Sequence, residues 1–591
     1  MYLKKPVPIP QGTKKIVFLR SGGSTYVYYQ TDRTYDKKKK YNLPTRTAVG
    51  KICPDDGSKM YPNERFFELF PDVPYDDEPE RSMAIRVGSY VLIKRMIGEL
   101  QLRDVLSVRF PPSDTNFLLD LAAYAIVTED NAGQYYPAYA EEHALFTDRM
   151  KVYSDSYVSD WLRGVTASQI IESVSQWNSL RDHGDDVYIS YDSTNKNSHA
   201  GEVELVEFGE AKVKAGLPVI NVGMAYDVKD RVPAFYESYP GSIPDVSQLD
   251  AMIEKATAYG YKHIGFILDR GYFSKENLEH LDEKGYAFII MVKGRKSLLS
   301  GLILEKLHTF ENKSSCYIDR HEVFGCTVEA PLYEKDTKKR YIHLYHNAGK
   351  GAKELSDLNE ELRRMKKAMD KAVGRCTVIP KSYEEYFTTY YEEIEVEKTV
   401  VEDGKKKKVK EKAKKFIAYA EREDVVERQR NLCGYFAIAT SRKMTAAEAI
   451  DLYKSRDGSE KLFRGDKSYL GDKTLRVHST ESTETKIFVE FIALIIRSRI
   501  YAKLHDMNMS LVSRLNYLTV PASIKELEKI IMIKLPDGKY HLSYALTKTQ
   551  KTILQAFGMT EEDVAREAAD IVKTLEKERK ARNGKTAEDD T

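Results

Sequence analysis

The residues best suited to chemistry lie in one short segment with the spacing Tyr-x2-Arg-x3-Glu-x6-Lys. The segment contains Tyr453, Arg456, Glu460 and Lys467. On a helix, this spacing brings the two cations and the carboxylate close to the face of the tyrosine. One surface would then present an aromatic ring, two positive charges and one negative charge. Glu460 could instead be only an intrahelical ion-pair partner of Arg456, which would not exclude a chemical role.

Two aspartates farther upstream each end an apolar run with the composition of a buried strand. Asp192 follows VYISY, and Asp269 follows HIGFIL. Aspartates at strand ends are most often turn or capping residues, although Asp269, which ends a fully apolar run and precedes Arg270-Gly271, is the stronger candidate of the two. Together with Glu460 they would form a cluster of three carboxylates able to hold divalent metal ions, beside cations that can bind phosphate. That combination indicates phosphodiester chemistry.

The elements that must position the two aspartates form the most regular part of the chain, residues 187–299. Their pattern is three strands, a helix, a strand, a helix and a strand. Asp192 lies near the end of the first strand, and Asp269 ends the fourth. This order matches a ribonuclease-H-like mixed sheet flanked by helices, in which the first and fourth strands are neighbours. We therefore expect Asp192 to lie beside Asp269.

The α/β pattern stops after the fifth strand and resumes at NLCGYFAIATS, a strand that leads into the helix of Tyr453. Thr445 and Glu448 have the spacing of a capping box for that helix. We therefore expect an α/β core interrupted by a large α+β insertion and preceded by β-rich and helical DNA-binding modules. The predicted segments are a small β-rich module at 1–75, a helical domain at 82–180, the first part of the core at 181–300, the insertion at 301–430, the second part of the core at 431–520, and a helical C-terminal region with a polar tail at 521–591. The main interpretation of the segment 82–180 is a helical packing domain, and the alternative is that part of its surface contacts DNA.

Within the insertion, residues 403–415 (DGKKKKVKEKAKK) form a basic run. Such a run is more often a solvated hairpin tip or helix than a binding surface. If the run lies beside a DNA site, the binding surface becomes nearly as well supported as the solvated hairpin tip or helix. The sequence alone leaves both open.

Composition narrows the class of protein. A chain of 591 residues is long enough for several domains, and its formal net charge of +2 neither favours nor excludes nucleic acid as a partner. The five cysteines show no C-x-x-C spacing, which argues against structural zinc and suits a reducing cytoplasm. The N-terminus lacks an apolar signal segment, and the longest strongly apolar stretch, residues 491–496, is too short to span a bilayer. We expect a cytoplasmic protein without a membrane partner.

The chain resembles the DDE transposases of bacterial insertion sequences, in the branch whose catalytic glutamate lies in a Tyr-x2-Arg-x3-Glu-x6-Lys motif. All four positions of that motif match without a gap. The segments YDSTNKNS, VPAFYESYPGSIPDVSQL and ILDRGYFSKENL are also similar to that branch around its two aspartates. The resemblance covers residues 187–300 and 431–505, and the other regions only in their general layout.

The resemblance implies that Asp192, Asp269 and Glu460 are the catalytic residues and the metal ligands. They would hold two Mg2+ ions roughly 4 Å apart, for which Mn2+ may substitute. One ion would activate water or a 3′-hydroxyl, and the other would stabilise the leaving oxygen.

The resemblance also implies an activity and its partners. The enzyme would bind the terminal inverted repeats of its element, nick double-stranded DNA there and join the freed 3′-hydroxyl to target DNA, and relatives in this branch cleave the second strand through a hairpin. Arg456 and Lys467 would bind phosphates near the cleaved bond, while Tyr453 would hydrogen-bond a phosphate or pack on a nucleotide. Two element ends require two active sites, so we expect a homodimer in the DNA complex, associated with the bacterial nucleoid.

Two other functions compete with this interpretation. One is a ribonuclease-H-like DNA nuclease that cuts without strand transfer. The other is a domesticated DNA-binding protein that no longer cuts. The complete set of three acidic residues counts against the second, since a protein that has lost its activity tends to lose at least one of them.

Overall fold

A computed structural model describes most of the chain. The ranges described are residues 2, 6–10, 15–21, 23–36, 41–54, 56–70, 73, 82–181, 183–184, 187–198, 203, 205–208, 218–243, 245–261, 264–292, 296–333, 336, 338–402, 405–456, 474–536 and 539–588. Two of the predicted site residues, Glu460 and Lys467, lie outside these ranges.

The described residues form 20 β-strands and 17 α-helices. The strands are β1 (Val7–Pro8), β2 (Ile16–Ser21), β3 (Ser24–Asp36), β4 (Tyr41–Cys53), β5 (Asp56–Pro62), β6 (Ala84–Arg86), β7 (Tyr188–Ser198), β8 (Val219–Asp227), β9 (Val232–Pro240), β10 (Gly265–Leu268), β11 (Ala287–Met291), β12 (Tyr317–Ile318), β13 (Val323–Pro331), β14 (Lys339–His346), β15 (Phe387–Glu402), β16 (Lys405–Glu421), β17 (Tyr435–Thr440), β18 (Thr474–Leu475), β19 (Ile531–Lys534) and β20 (Tyr540–Leu542). The helices are α1 (Glu64–Leu69), α2 (Gly88–Glu99), α3 (Leu102–Ser107), α4 (Pro112–Thr128), α5 (Tyr136–Glu142), α6 (Asp155–Gly164), α7 (Ala167–Ser179), α8 (Leu249–Ala258), α9 (Lys275–Glu283), α10 (Lys296–Lys306), α11 (Ala348–Ala372), α12 (Glu423–Asn431), α13 (Ala446–Ser455), α14 (Thr480–Ser510), α15 (Val520–Leu527), α16 (Lys548–Gln555) and α17 (Glu561–Glu588). Within the described ranges no helix has the length and apolar content that would let it span a bilayer.

The chain divides into two compact units. The first comprises Met1–Glu99, Pro111–Gly164 and Leu504–Thr591, and the second comprises Leu100–Phe110 and Val165–Lys503. Both units are therefore built from segments that are distant in sequence. The six segments predicted from the sequence, with their boundaries, stay predictions.

The first unit contains two sheets. Strands β1 to β5 form an antiparallel sheet in the order β1-β5-β4-β3-β2, and Gly23, with φ +78°, supplies the left-handed backbone that the tight β2–β3 turn requires. Strands β6, β19 and β20 form the other sheet, in which Met532 pairs with Ile85. A partly buried contact of 2.7 Å between His143 Nε2 and Glu528 Oε2 also attaches the C-terminal region to the end of α5. The C-terminal region thus folds together with residues near 85 and 143.

The second unit is organised around one large mixed sheet. Its strands follow the order β12-β13-β14-β17-β11-β10-β7-β8-β9, and β18 pairs with β7. Strand β10 runs parallel to both of its neighbours, whereas β8, β9 and β17 are antiparallel to theirs. All residues of β8 and β10 are buried, as expected for strands covered on both faces. The predicted order of three strands, helix, strand, helix and strand is confirmed, and so is the pairing of the first strand with the fourth.

The region between β11 and α13 contributes to two different cores. Strands β12 to β14 extend the large sheet, because β14 pairs with β17 and β17 with β11. Helices α11 and α12 and the hairpin of β15 and β16 instead surround a hydrophobic cluster of their own, which includes Leu362, Met369, Phe387, Phe416 and Val426. Part of the predicted insertion is therefore continuous with the sheet that carries the predicted site.

Candidate active site

The first two predicted carboxylates lie on neighbouring parallel strands. In the register of β7 and β10, Tyr191 is opposite Leu268. Asp192 follows Tyr191 within β7, and Asp269 follows Leu268 in extended backbone, with φ −69° and ψ 157°. Continuing the register by one residue places the two aspartates side by side, on strands about 4.8 Å apart. The structure thus brings Asp192 and Asp269 together, and we call this part of the sheet the acidic edge.

Helix α13 packs on the face of the sheet to which both aspartates belong. Because side chains alternate between the two faces of a strand, Asp269 shares a face with Ile267, and Asp192 shares a face with Ser190. Ile267 and Ser190 are opposite each other in the register, so all four belong to the same face of the sheet. Ile267, Ile450 and Tyr453 belong to one buried cluster. The helix that begins the predicted glutamate motif therefore ends close to the acidic edge.

The start of α13 is determined by its own sequence. The Thr445 hydroxyl accepts a hydrogen bond from the Glu448 amide at 3.2 Å, and the Glu448 carboxylate accepts one from the Thr445 amide at 2.7 Å. The predicted capping box is therefore confirmed. The Tyr345 hydroxyl also donates to the Ala446 carbonyl at 2.7 Å, which attaches this first turn to β14.

Arg456 stands at the other end of α13 and forms an ion pair with the acidic edge. Its Nη1 is 3.1 Å from Oδ1 of Asp269, and the two side chains are 14% and 36% exposed. Arg456 is the C-cap residue of α13, which ends at Ser455. The helix predicted to run from Tyr453 to Lys467 is therefore tested only as far as Arg456. The sequence suggested Glu460 as a partner of Arg456, and the structure adds Asp269, which no local pattern could reveal.

Tyr453 lies in the core beneath this ion pair. Its side chain is only 5% exposed and packs with Ile267, Ile289 and Ile438. The Arg456 guanidinium carbon is 5.5 Å from the centre of the Tyr453 ring, within the range of a cation–π contact. Stacking on a nucleotide would require the ring to leave this core. The position therefore favours a structural task, in which Tyr453 holds the end of α13 and the Arg456 side chain at the acidic edge.

The loop after Asp269 is attached to the sheet by residues that the sequence reasoning did not single out. The Tyr272 hydroxyl donates to Ser193 Oγ at 3.3 Å, and the Tyr272 and Tyr191 rings lie 5.1 Å apart. The Asn277 side chain donates to the Tyr272 carbonyl at 3.0 Å. These contacts attach the loop that follows Asp269 to the residues on either side of Asp192. The two aromatic residues that follow Asp269 in the DRGYF segment were the sequence signal that could have identified Tyr272.

A buried ion pair lies farther along the same strand. Lys196 Nζ is 2.5 Å from Oε2 of Glu490 in α14, and the two side chains are 2% and 3% exposed. By alternation Lys196 shares the face of β7 that carries Asp192. The sequence reasoning missed this pair, although a single glutamate inside the apolar run IFVEFIALII was a visible signal.

The donor atoms at the acidic edge fit a hard divalent cation. Carboxylate oxygens are the ligands that Mg2+ prefers, and Asp192 and Asp269 supply two such groups. In the part of the chain that the structure describes, no three His, Cys, Asp or Glu side chains are grouped in a way that could hold a metal ion. The third predicted ligand, Glu460, lies outside the described residues, so the predicted set of three stays a prediction.

Comparison with known proteins assigns the family. The transposase DDE domain matches residues 193–496, just over half of the chain, and this range includes Asp269 and α13 and begins directly after Asp192. A solved piggyBac transposase synaptic complex with hairpin DNA is similar to this chain at 9% identity and a TM-score of 0.32, covering 83% of this chain and 82% of that one. No curated protein matches. From the match over residues 193–496, the chain belongs to the transposase DDE domain family.

Proposed function

We propose that this protein is a metal-dependent transposase that cleaves DNA at the terminal inverted repeats of an insertion sequence and transfers the freed ends to target DNA. The observation that carries the proposal is the side-by-side placement of Asp192 and Asp269, with Arg456 bound to Asp269. A pair of carboxylates beside a cation suits a reaction in which metal ions and a phosphate must meet. Membership of the transposase DDE domain family supports the same reaction class.

We assign the catalytic core as ribonuclease-H-like. The support is the strand order β9-β8-β7-β10-β11, with β10 parallel to both neighbours and with β8 antiparallel to β7 and β9. Helices α8 and α9 connect β9 to β10 and β10 to β11. In this arrangement Asp192 comes from the central strand and Asp269 from the strand beside it.

Glu460 is the third carboxylate of the proposed site. The chain reaches Arg456 at the acidic edge and is next described at Thr474, which pairs with Asn197 of β7. Asn197 belongs to the same strand as Asp192 and lies five residues, roughly 17 Å, farther along it. Because Glu460 is four residues beyond Arg456, the two Cα atoms can be no more than roughly 14 Å apart. That constraint supports a position from which its side chain reaches the other two carboxylates.

In the proposed site, the carboxylates would bind metal ions and the basic residues would bind DNA phosphates. Two Mg2+ or Mn2+ ions bound by Asp192, Asp269 and Glu460 would supply nucleophile activation and stabilisation of the leaving oxygen. Arg456 offers five N–H donors in a planar fork, which suits a phosphate as well as it suits Asp269. Lys467 would add a second phosphate contact.

We further propose that the form active on DNA is a homodimer. Two element ends must be joined to one target, and each end requires a complete site. A complex of two chains with two end duplexes, measured by mass, is the expected result. A single chain that completes strand transfer with one end would contradict it.

The decisive experiment compares Glu460→Gln with the matched variant Asp457→Asn, which removes a carboxylate from the same segment. Glu460→Gln should retain end binding and lose Mg2+-dependent nicking and strand transfer by roughly 10^3-fold or more, because a neutral amide is a poor metal ligand. Asp457→Asn should retain both. Normal nicking by Glu460→Gln would mean that another residue is the third ligand.

The wild-type protein separates the competing functions in the same assay. With a precut element end, strand transfer into a second duplex is expected. Nicking of intact ends without strand transfer would identify a nuclease. Binding of ends with neither reaction would identify a DNA-binding protein that no longer cuts.

A further inference from the structure

A groove of about 370 Å³ opens between α11, α12 and the end of β16. Six of its eight lining residues belong to α11. The three elements share one hydrophobic cluster, which includes Leu362, Phe416 and Val426, so a common core holds the walls of the groove. Strand β16 contains most of the basic run noted in the sequence and ends at the groove with Glu421. The groove is thus built into the predicted insertion, from other residues than those of the acidic edge.

Basic residues outnumber acidic ones in the lining of this groove. The six charged residues are Arg363, Lys366, Lys367, Arg430, Asp370 and Glu421. Their formal charge is +2. A concave surface with an excess of one charge attracts and concentrates ions of the opposite charge. The composition of the groove therefore favours an anionic ligand.

Both carboxylates of the groove already have partners. Glu421 forms an ion pair with Lys366. Asp370 Oδ1 accepts a hydrogen bond of 2.7 Å from the Tyr419 hydroxyl, which attaches this carboxylate to the hairpin of β15 and β16. These contacts engage the two acidic groups and one of the four basic groups.

The other three basic groups are available to a ligand. Arg363, Lys367 and Arg430 are exposed, and within the described ranges none of them forms an ion pair with a carboxylate. Arg430 Nη2 donates to the neutral Asn359 Oδ1 at 3.3 Å, which holds the guanidinium at the groove. Arg363 and Lys367 are one helical turn apart, so their side chains leave α11 about 6 Å from each other. Two of the three groups are guanidinium forks, whose geometry suits phosphate oxygens.

Two other cations of α11 lie outside the groove and are paired with glutamates. Lys350 Nζ is 3.5 Å from Glu354 Oε1, and Arg364 Nη2 is 3.9 Å from Glu361 Oε1. At 3.6 residues per turn, both cations project about 100° or more around the helix from Arg363. They carry the same charge on the same element, and they supply a matched control for the groove.

We propose that this groove binds the phosphate backbone of duplex DNA, with Arg363 and Lys367 as its main contacts. Cations without carboxylate partners are suited to neutralising phosphates, the interaction that dominates non-specific DNA affinity. The choice of DNA as the anion rests on the proposed function, whereas the position of the site rests on the shape and charges of the groove.

The test measures the DNA affinity of the full-length protein against salt concentration. Arg363→Gln/Lys367→Gln should reduce the slope of log affinity against log salt by about 1.8, and binding at 0.15 M salt should weaken roughly 10- to 30-fold. The control Lys350→Gln/Arg364→Gln removes the same charge from the same helix and should keep the slope within about 0.5 of the wild type. Because phosphate contacts carry no sequence information, element-end DNA and an unrelated duplex of equal length should respond alike.

A third variant tests the groove without removing a cation. Asn359→Asp adds a carboxylate beside Arg430 and keeps the oxygen that accepts its hydrogen bond. A negative charge inside the groove should offset one phosphate contact and reduce the slope by about 0.9. Thermal unfolding midpoints close to the wild type would confirm that all three variants fold.

Free phosphates are the other source of the same chemistry, and inorganic pyrophosphate separates them from DNA. If the groove serves DNA, millimolar pyrophosphate should compete only weakly with the duplex. Tight pyrophosphate binding that is lost in Arg363→Gln/Lys367→Gln, together with an unchanged salt slope for DNA, would assign the groove to a small phosphorylated molecule and overturn the proposal.

Two further outcomes would also overturn it. Equal losses of slope in Arg363→Gln/Lys367→Gln and in the control would show that only total charge matters. An unchanged slope in the groove variant, with normal nicking by the wild type, would refute the groove proposal and leave the proposed function standing. If the slope falls as expected but the wild type neither nicks nor joins DNA, the groove proposal stands and the proposed function fails.

Discussion

Two ion pairs of the second unit involve neighbouring strands of one sheet but differ in their access to water. Lys196 and Glu490 are 2% and 3% exposed, whereas Arg456 and Asp269 are 14% and 36% exposed. Both pairs join a strand of the sheet to a helix. For the buried pair, separation would leave two charges in a low-dielectric interior. For the pair at the acidic edge, water can solvate Asp269 when Arg456 leaves.

This difference assigns the two pairs different tasks. The buried pair has a structural role, which is to hold α14 against β7. Neither charge is exposed to solvent, so separating the pair would leave two unsolvated charges at a large cost in free energy. The N···O distance of the edge pair, 3.1 Å, is also that of a direct ion pair. Its exposure, however, lets the Asp269 carboxylate release the guanidinium and bind a metal ion, and lets the Arg456 guanidinium release the carboxylate and bind a phosphate. Exposure, and not the presence of an ion pair, distinguishes the residues available for chemistry.

The largest effect on stability is expected from breaking the buried pair. Glu490→Ala leaves Lys196 buried without this carboxylate and should lower the free energy of unfolding by about 3–5 kcal/mol. Lys196→Met/Glu490→Leu removes both charges and should recover most of that loss. Denaturant unfolding of the three proteins measures both effects. A loss under about 1 kcal/mol in Glu490→Ala would show that the pair does not stabilise the sheet.

A smaller effect is expected at Asp227, a buried carboxylate of the same sheet that lies at the end of β8. Its Oδ1 accepts hydrogen bonds from the amides of Lys229 and Asp230 at 2.9 and 3.0 Å, and its Oδ2 has no hydrogen-bond partner among the described residues. Burial raises the pKa of Asp227 from 3.8 to about 6. The folded protein therefore holds this proton more tightly than the unfolded chain does, so the stability contributed by the protonated carboxyl is lost as pH rises through 6.

Asp227→Asn keeps an acceptor for the two amides and removes the ionisation. At pH 8 the variant should be more stable than the wild type by up to about 3 kcal/mol, and near pH 4 the difference should be small. Denaturant midpoints at the two pH values measure the change. A wild-type protein that gains stability between pH 4 and 7 relative to the variant would contradict the sign.

The smallest effect on stability is expected at the acidic edge. Arg456→Ala should change the free energy of unfolding by about 1 kcal/mol, because water can solvate Asp269. Without DNA, Mn2+ binding should become a few-fold tighter, since a competing cation has been removed. Affinity for end DNA should fall, with its salt slope reduced by about 0.9.

The control for this last variant is Arg456→Lys, which keeps the charge and loses the planar fork. It should keep the salt dependence of DNA binding and lower the affinity for the cleaved end. Spectroscopic titration with Mn2+ and gel shifts at several salt concentrations measure the two quantities. A stability loss in Arg456→Ala as large as that in Glu490→Ala would make the edge pair a structural contact like the buried one.

The parts of the site that the sequence predicted correctly are those encoded within a single element. The apolar runs placed Asp192 and Asp269 directly after two residues that pair in register, and the spacing of Thr445 and Glu448 predicted the start of α13. The prediction that Asp192 lies near the end of its strand was wrong, because β7 continues past it to Ser198. The neighbouring positions of β7 and β10 followed because few sheet topologies accommodate that order of strands and helices. These inferences needed only periodicity, capping chemistry and chain connectivity.

The parts that the sequence did not predict depend on contacts between distant residues. Lys196 and Glu490 are 294 positions apart, and no spacing rule links them. The burial of Tyr453 in one cluster with Ile267 and Ile289 could not be predicted either, because a position in a motif does not show which surfaces cover a ring. The extension of the sheet by β12 to β14 likewise depends on the pairing of β14 with β17, a contact between distant segments.

The sequence by itself determined the order and type of the elements, the first turn of α13 and the identity of the charged groups. These properties arise from backbone preferences and hydrogen bonds that span only a few residues. Only the tertiary structure decided that Arg456 binds Asp269, that Tyr453 is buried and that Lys196 pairs with Glu490. Burial and ion pairing are decided by which surfaces meet, because the free energy of a charge depends on the solvent and partners that packing leaves to it.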